Sequence, residues 1–196
     1  ISTKEINFSK TKKKIDNFDF KDKNYYLAIG RLTKQKNFSF LIKSFNELIK
    51  TKNDLRLLII GEGEEFYLLK KMIEKFNLEK NIFLLGYKKN VFKYLDNCEA
   101  FILSSLWEDP GFVILEAMYC NTIVLSSDCQ SGPKEIINEK RGLLFKSNSK
   151  EDFINQFNLL NKLKPLDKSE IKKNAKKFTK NFSILNHYKV LENLLT

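Results

Sequence analysis

The sequence lacks the long apolar run of roughly 20 residues that crosses a bilayer, and its opening "ISTKEINFSKTKKK" lacks the apolar segment of a secretory signal. Both absences point to a cytosolic chain. Cysteine is scarce: Cys98, Cys120 and Cys129 are odd in number and lack metal-ligand spacing, and two of them fall in apolar stretches. They read as reduced thiols and not as a disulfide framework or a zinc module. Histidine is scarcer still, with His187 alone, set among Leu185, Tyr188, Leu191, Leu194 and Leu195 in a stretch of helical spacing, where it reads as a surface or interface residue. What remains is 196 residues with 42% apolar and 30% charged side chains, the balance of one globular domain with a sizeable core.

The net charge of +11 is uneven. Residues 1–36 hold ten Lys/Arg against four Asp/Glu and residues 161–196 hold nine against three, so each end carries +6 and the middle −1. A near-neutral core with basic ends is compatible with solvated lysines, or with flanks that meet a phosphate-rich partner or an anionic membrane surface. A nucleic-acid groove would interleave aromatics with its lysines, and "KTKKK" and "KKNAKK" contain none, so no nucleic-acid partner is expected.

Short apolar runs alternate with amphipathic stretches. "YYLAIG", "LRLLIIG", "NIFLLG", "AFILSS", "TIVLSS" and "GLLF" read as strands, and "NFSFLIKSFNELIK", "EEFYLLKKMIEKFNL", "VFKYLDN", "PGFVILEAM", "PKEIIN" and "KEDFINQFNLLNKL" as the helices between and after them. That alternation predicts an α/β domain: a doubly wound, Rossmann-like parallel sheet of about six strands, covered on both faces. The expected organisation is a linker over 1–23, the domain over 24–164, and basic helices over 165–196.

In such a sheet ligands bind beyond the carboxyl ends of the strands. The turns "GRLTKQKN", "GYKKN", "SSLWEDPG" and "SSDCQSGPKE" should therefore open on one edge. Neither G-x-G-x-x-G nor G-x-x-x-x-G-K-[ST] is present. "GEGEE" has two glycines, but Glu62, Glu64 and Glu65 would repel phosphate, so it reads as a turn and a helix start. The turn after the first strand offers Gly30, then Arg31 and Lys36, a forked donor and a point charge able to replace a glycine cradle at a diphosphate. In "EDPGFVILE" a helix beginning near Gly111 would aim free N–H groups at the same edge. Glu108 precedes it, and Glu116 lies about 7.5 Å along it. Carboxylates repel phosphate but accept strong hydrogen bonds from sugar hydroxyls. The ligand this arrangement suggests is ribose, diphosphate and hexose in a row, a nucleotide-sugar.

At these residues the sequence resembles the donor-binding, C-terminal half of retaining GT-B glycosyltransferases of family 4. "GRLTKQKN" matches the family's glycine-arginine-leucine turn with a downstream lysine, "EDPGFVILE" its E-x7-E motif, and "SGPKEI" its loop after the fifth strand. The resemblance implies that Arg31 and Lys36 bind the donor diphosphate and stabilise the leaving nucleotide, catalytic roles shared with Glu108 at the hexose. It also implies that Glu116 binds ribose, that Gly30 in the first turn is substrate-binding, that Gly86 and Tyr87 face the base through their backbone, and that Gly111, Phe112 and Val113 face phosphates and sugar. The resemblance implies no cofactor and no metal ion, and the absence of a D-x-D pair at a strand end is consistent with that. The donor would be a UDP-sugar in preference to a GDP-sugar, with galactose, glucose, N-acetylhexosamine and mannose all open. A glycan or lipid-linked acceptor would be held by an N-terminal domain that this sequence lacks, so the chain alone should bind donor and transfer nothing. Work on bacterial surface polysaccharides or glycans, peripherally at the inner face of the cytoplasmic membrane, would suit the basic ends. A non-catalytic binding module with the same fold is the alternative.

Overall fold

The computed structural model describes residues 25–109, 111–137 and 142–162. The expected linker, the C-terminal helices and His187 lie outside these residues. Six strands form one sheet: β1 (Tyr26–Ile29), β2 (Leu57–Ile60), β3 (Ile82–Leu84), β4 (Ala100–Leu103), β5 (Ile123–Ser127) and β6 (Gly142–Phe145). Their order is β3-β2-β1-β4-β5-β6 and every pairing is parallel, with Tyr26 opposite both Leu57 and Ala100. The six expected strands are all present; "GLLF" is β6 in full and the other five are shortened by one to three residues at their ends.

Residue alternation along the strands divides the core into two layers. Leu57 and Ile59 face one cluster and Leu58 and Ile60 the other. The first layer is covered by α1 (Phe38–Ile49), α2 (Phe66–Lys75) and α6 (Lys150–Lys162); the second by α3 (Phe92–Asn97), α4 (Phe112–Tyr119) and α5 (Pro133–Ile136). Much of the chain's phenylalanine is spent in the first layer, where Phe157 meets Tyr26 and Phe45 with ring centroids 4.6 and 5.6 Å apart.

The chain winds outward from β1 to β3 and returns to start again at β4, so the order reverses between β1 and β4. A crevice opens beyond their carboxyl ends, where such sheets bind ligands. Two glycines bring the β2 loop under the β1 loop. A Cβ on Gly61, whose φ is +147°, would lie 1.9 Å from the Gly30 oxygen, and one on Gly63 would lie 2.5 Å from the Leu32 oxygen. The glycines of "GEGEE" thus serve backbone packing beneath the Gly30 turn. Gly61→Ala should destabilise the domain by about 2 kcal/mol through overpacking and backbone strain. A urea melt unchanged from wild type would contradict this account of the turn.

Candidate functional site

At the end of β1 the chain enters a short 3-10 turn, Lys34–Lys36, closed by Asn37 in the left-handed region with φ 54°. Its backbone is tied sideways. Leu32 N–H donates to the Glu62 carbonyl at 2.8 Å, Gln35 C=O accepts from Leu106 N–H at 2.8 Å, and Lys36 C=O accepts from the Ser104 hydroxyl at 2.8 Å. Gln35 Nε2 donates to the Trp107 carbonyl at 3.0 Å. The β4 loop is held equally firmly from the β5 side: Trp107 and Gln130 form a parallel bridge, Glu108 N–H donates to the Gln130 carbonyl at 3.3 Å, and the Ser127 hydroxyl donates to the Ser105 carbonyl at 2.7 Å. Three of the four turns expected on one edge are thereby knitted together. The fourth joins through the β2 loop, where Gly61 N–H donates to the Gly86 carbonyl at 3.0 Å.

Across the crevice the Lys36 ammonium lies 2.6 Å from Glu108 Oε1, and the two side chains are only 15% and 5% exposed. The lysine reaches it over Gly30: a Cβ there would lie 3.1 Å from three carbons of the Lys36 stem. Glu108 Oε1 also accepts from the Ser105 hydroxyl at 2.5 Å. Arg31, one turn earlier, is exposed. Beyond Glu108, Gly111 caps α4 with φ 74° and ψ 45°, a conformation that suits glycine. Ile114 N–H already donates to the Gly111 carbonyl at 2.9 Å, whereas Phe112 and Val113, at the first two positions of α4, have N–H groups with no acceptor within the helix. Glu116 is half-buried one turn further on. Phe112 and Trp107 are 58% and 49% exposed, and the Tyr87 ring, beyond β3, is exposed as well. The backbone at Tyr87 meets a carboxylate, with Tyr87 N–H 3.4 Å from Glu62 Oε1.

Arg31, Lys36, Glu108, Gly111, Phe112, Val113 and Glu116 all belong to the two loops and the helix that border the switch point, and Gly86 and Tyr87 stand on the neighbouring side. The sequence reading missed Gln35, Ser104, Ser105, Ser127 and Gln130. For the serines the signal was the "SS" that closes both "AFILSS" and "TIVLSS", two polar pairs at the ends of buried strands; the two glutamines carried none. Cys129 is a further neighbour: burial, reinforced by the Glu108 carboxylate, pushes its thiol up. Burial likewise pushes the Cys98 thiol up, and Cys120 is buried. Protonated, shielded thiols react slowly. Buried Cys120 and Cys129 should resist a thiol reagent at pH 8 in the folded chain and react at once in guanidinium, while half-buried Cys98 should label at an intermediate rate; rapid labelling of Cys129 in the folded chain would contradict its placement.

Comparison with known proteins bears on the same region. A family model described as glycosyl transferases group 1 matches residues 9–178. The chain is 33% identical over 172 residues to the N-acetylgalactosamine-N,N'-diacetylbacillosaminyl-diphospho-undecaprenol 4-alpha-N-acetylgalactosaminyltransferase of Campylobacter jejuni, covering 86% of this chain and 46% of that enzyme. It is 43% identical over 118 residues to an uncharacterized glycosyltransferase of Methanocaldococcus jannaschii, covering 60% of this chain and 29% of the relative. Among solved structures, a Staphylococcus aureus TarM mutant in complex with Fondaparinux, alpha-GlcNAc-glycerol and UDP superposes with a TM-score of 0.78 at 28% identity, over 87% of this chain and 36% of that one. The chain thus spans less than half the length of these relatives.

Proposed function

The chain belongs to the group 1 glycosyl transferases, and from that premise we propose that it is the nucleotide-sugar-binding half of a retaining family 4 enzyme that moves a hexose from a UDP-sugar to a sugar or lipid-linked glycan. The observation that carries this reading is the Lys36–Glu108 pair across the β1/β4 switch point, with Arg31 and the α4 N-terminus beside it. Cations and N–H groups suit a diphosphate. Glu108 on one side and Glu116 on the other suit the hydroxyls of hexose and ribose.

In this reading Arg31, Lys36 and the Phe112 and Val113 N–H groups stabilise charge on the departing nucleoside diphosphate, in a preorganised site where such donors act strongly. No metal ion is assigned to the step. The sugar–phosphate C–O bond breaks, the anomeric carbon joins the acceptor oxygen with its configuration retained, and the acceptor's hydroxyl proton is released. Gly30 gives room for the Lys36 stem, and the Gly86–Tyr87 backbone lies on the side where the base would sit. UDP is favoured over GDP because the solved relative at 28% identity holds UDP.

Calorimetric titration of the folded chain with UDP and GDP tests the proposal. UDP should bind, and Glu116→Ala should weaken it about tenfold through loss of charge-assisted hydrogen bonds to ribose. A folded chain that binds neither nucleotide would overturn the reading. The basic ends further suggest work against an anionic membrane surface, among bacterial surface glycans, where each lysine gains up to about 1 kcal/mol. Equal co-sedimentation with neutral and anionic vesicles would remove that element. Among the described residues no helix is long and apolar enough to cross a membrane.

A further inference from the structure

Two adjacent serines at the end of β4 hold the two members of the ion pair separately. Ser104 donates to the carbonyl of Lys36 at 2.8 Å and so fixes its backbone. Ser105, wholly buried, donates to Glu108 Oε1 at 2.5 Å and so fixes its carboxylate. Ser105 is itself anchored, since its carbonyl accepts from the buried Ser127 hydroxyl at 2.7 Å. The result is a chain of contacts, Ser127 to Ser105 to Glu108 to Lys36, running from the β5 end to the β1 turn beneath the crevice.

An incoming diphosphate gives Lys36 two anions to serve. Its ammonium has three N–H groups on a stem already laid over Gly30, so it can approach phosphate only by sharing or giving up Glu108. A carboxylate only 5% exposed that yields its lysine needs another donor, because an unsatisfied buried charge is costly. Ser105 is that donor. It stands just beyond β4, on a different element from the lysine, and its carbonyl is held by Ser127.

We propose that Ser105 is a positioning residue that keeps Glu108 aimed at the transferred hexose while the Lys36 ammonium shifts from Glu108 to the donor diphosphate. The inference rests on the donor-site reading above and adds a division of labour to it. Diphosphate binding depends on Lys36 and Arg31, whereas recognition of the hexose depends on a carboxylate whose aim is set by a hydroxyl that touches no ligand. Ser105 should therefore influence affinity for the sugar half of the donor and not for the nucleotide half.

The test is calorimetric titration of the 196-residue chain, as wild type, Ser105→Ala and Ser105→Cys, with UDP and with UDP-glucose, UDP-galactose and their two N-acetylhexosamine counterparts. The quantity read is affinity for the best UDP-sugar relative to UDP. Ser105→Ala should lower that ratio about tenfold, the usual size for a lost hydrogen bond to a charged group. Ser105→Cys, which keeps the volume and a weak donor, should fall between, and it keeps the test decisive should the alanine variant not fold. An unchanged ratio in both variants would overturn the inference while leaving the donor site standing. Equal weakening of UDP and UDP-sugar would do the same by showing a merely structural serine. Failure of the folded wild type to bind UDP would overturn the donor-site reading, and this inference with it.

Discussion

Replacing Arg31 and Lys36 together by alanine should weaken UDP binding by more than 100-fold in calorimetry, with the two single changes contributing unequally. Each residue offers charge-assisted hydrogen bonds to the diphosphate, which contribute about 1.5–3 kcal/mol apiece. Arg31 is exposed, so solvent and salt screen it, and its loss alone should cost about tenfold, shrinking further at high ionic strength. Lys36 differs because it stands 2.6 Å from Glu108. Removing it deletes a cation and leaves an unneutralised carboxylate close to the diphosphate, so Lys36→Ala should cost more than Arg31→Ala. Equal single effects would mean that the Glu108 charge is not felt at the diphosphate.

That asymmetry was hidden in the sequence. Arg31 and Lys36 could be assigned to one turn and Glu108 to another, because apolar runs such as "YYLAIG" and "AFILSS" mark strands whose carboxyl ends share an edge. Periodicity does not report strand order, however. Lys36 and Glu108 meet only because β4 pairs with β1 in the order β3-β2-β1-β4-β5-β6. Their separation of 72 residues carries no local signal. The same limit applies to Ser105 and Ser127, whose polar character at strand ends is ambiguous between turn formation and buried support until the neighbouring loop is known. The reading of "GEGEE" as a turn and a helix start holds, with the helix beginning at Phe66, but what Gly61 itself does was hidden for a related reason. Its glutamate neighbours argued against a phosphate cradle, correctly on charge, but its lack of a side chain serves the approach of Gly30, a long-range contact. By contrast the helix start at Gly111 was readable, since a left-handed glycine before an apolar helical run is a local feature.

Stability should expose the pair independently of any ligand. Lys36→Met should destabilise the chain by about 3 kcal/mol in urea denaturation, the lower end of the cost of stranding one member of a buried ion pair. The lower end applies because Lys36 retains 15% exposure and because Ser105 still donates to the orphaned carboxylate. Adding Glu108→Gln to Lys36→Met removes the stranded charge while leaving an amide oxygen to accept from Ser105. The double variant should therefore recover most of the loss and stand within about 1 kcal/mol of wild type, well below the sum of the two single changes, which is the mark of coupled sites. Additive single effects would show that the two side chains do not interact in solution. The recovered double variant also separates folding from binding: a chain restored to near wild-type stability that still binds no UDP has lost the donor through missing charge, and not through collapse of the β1 turn.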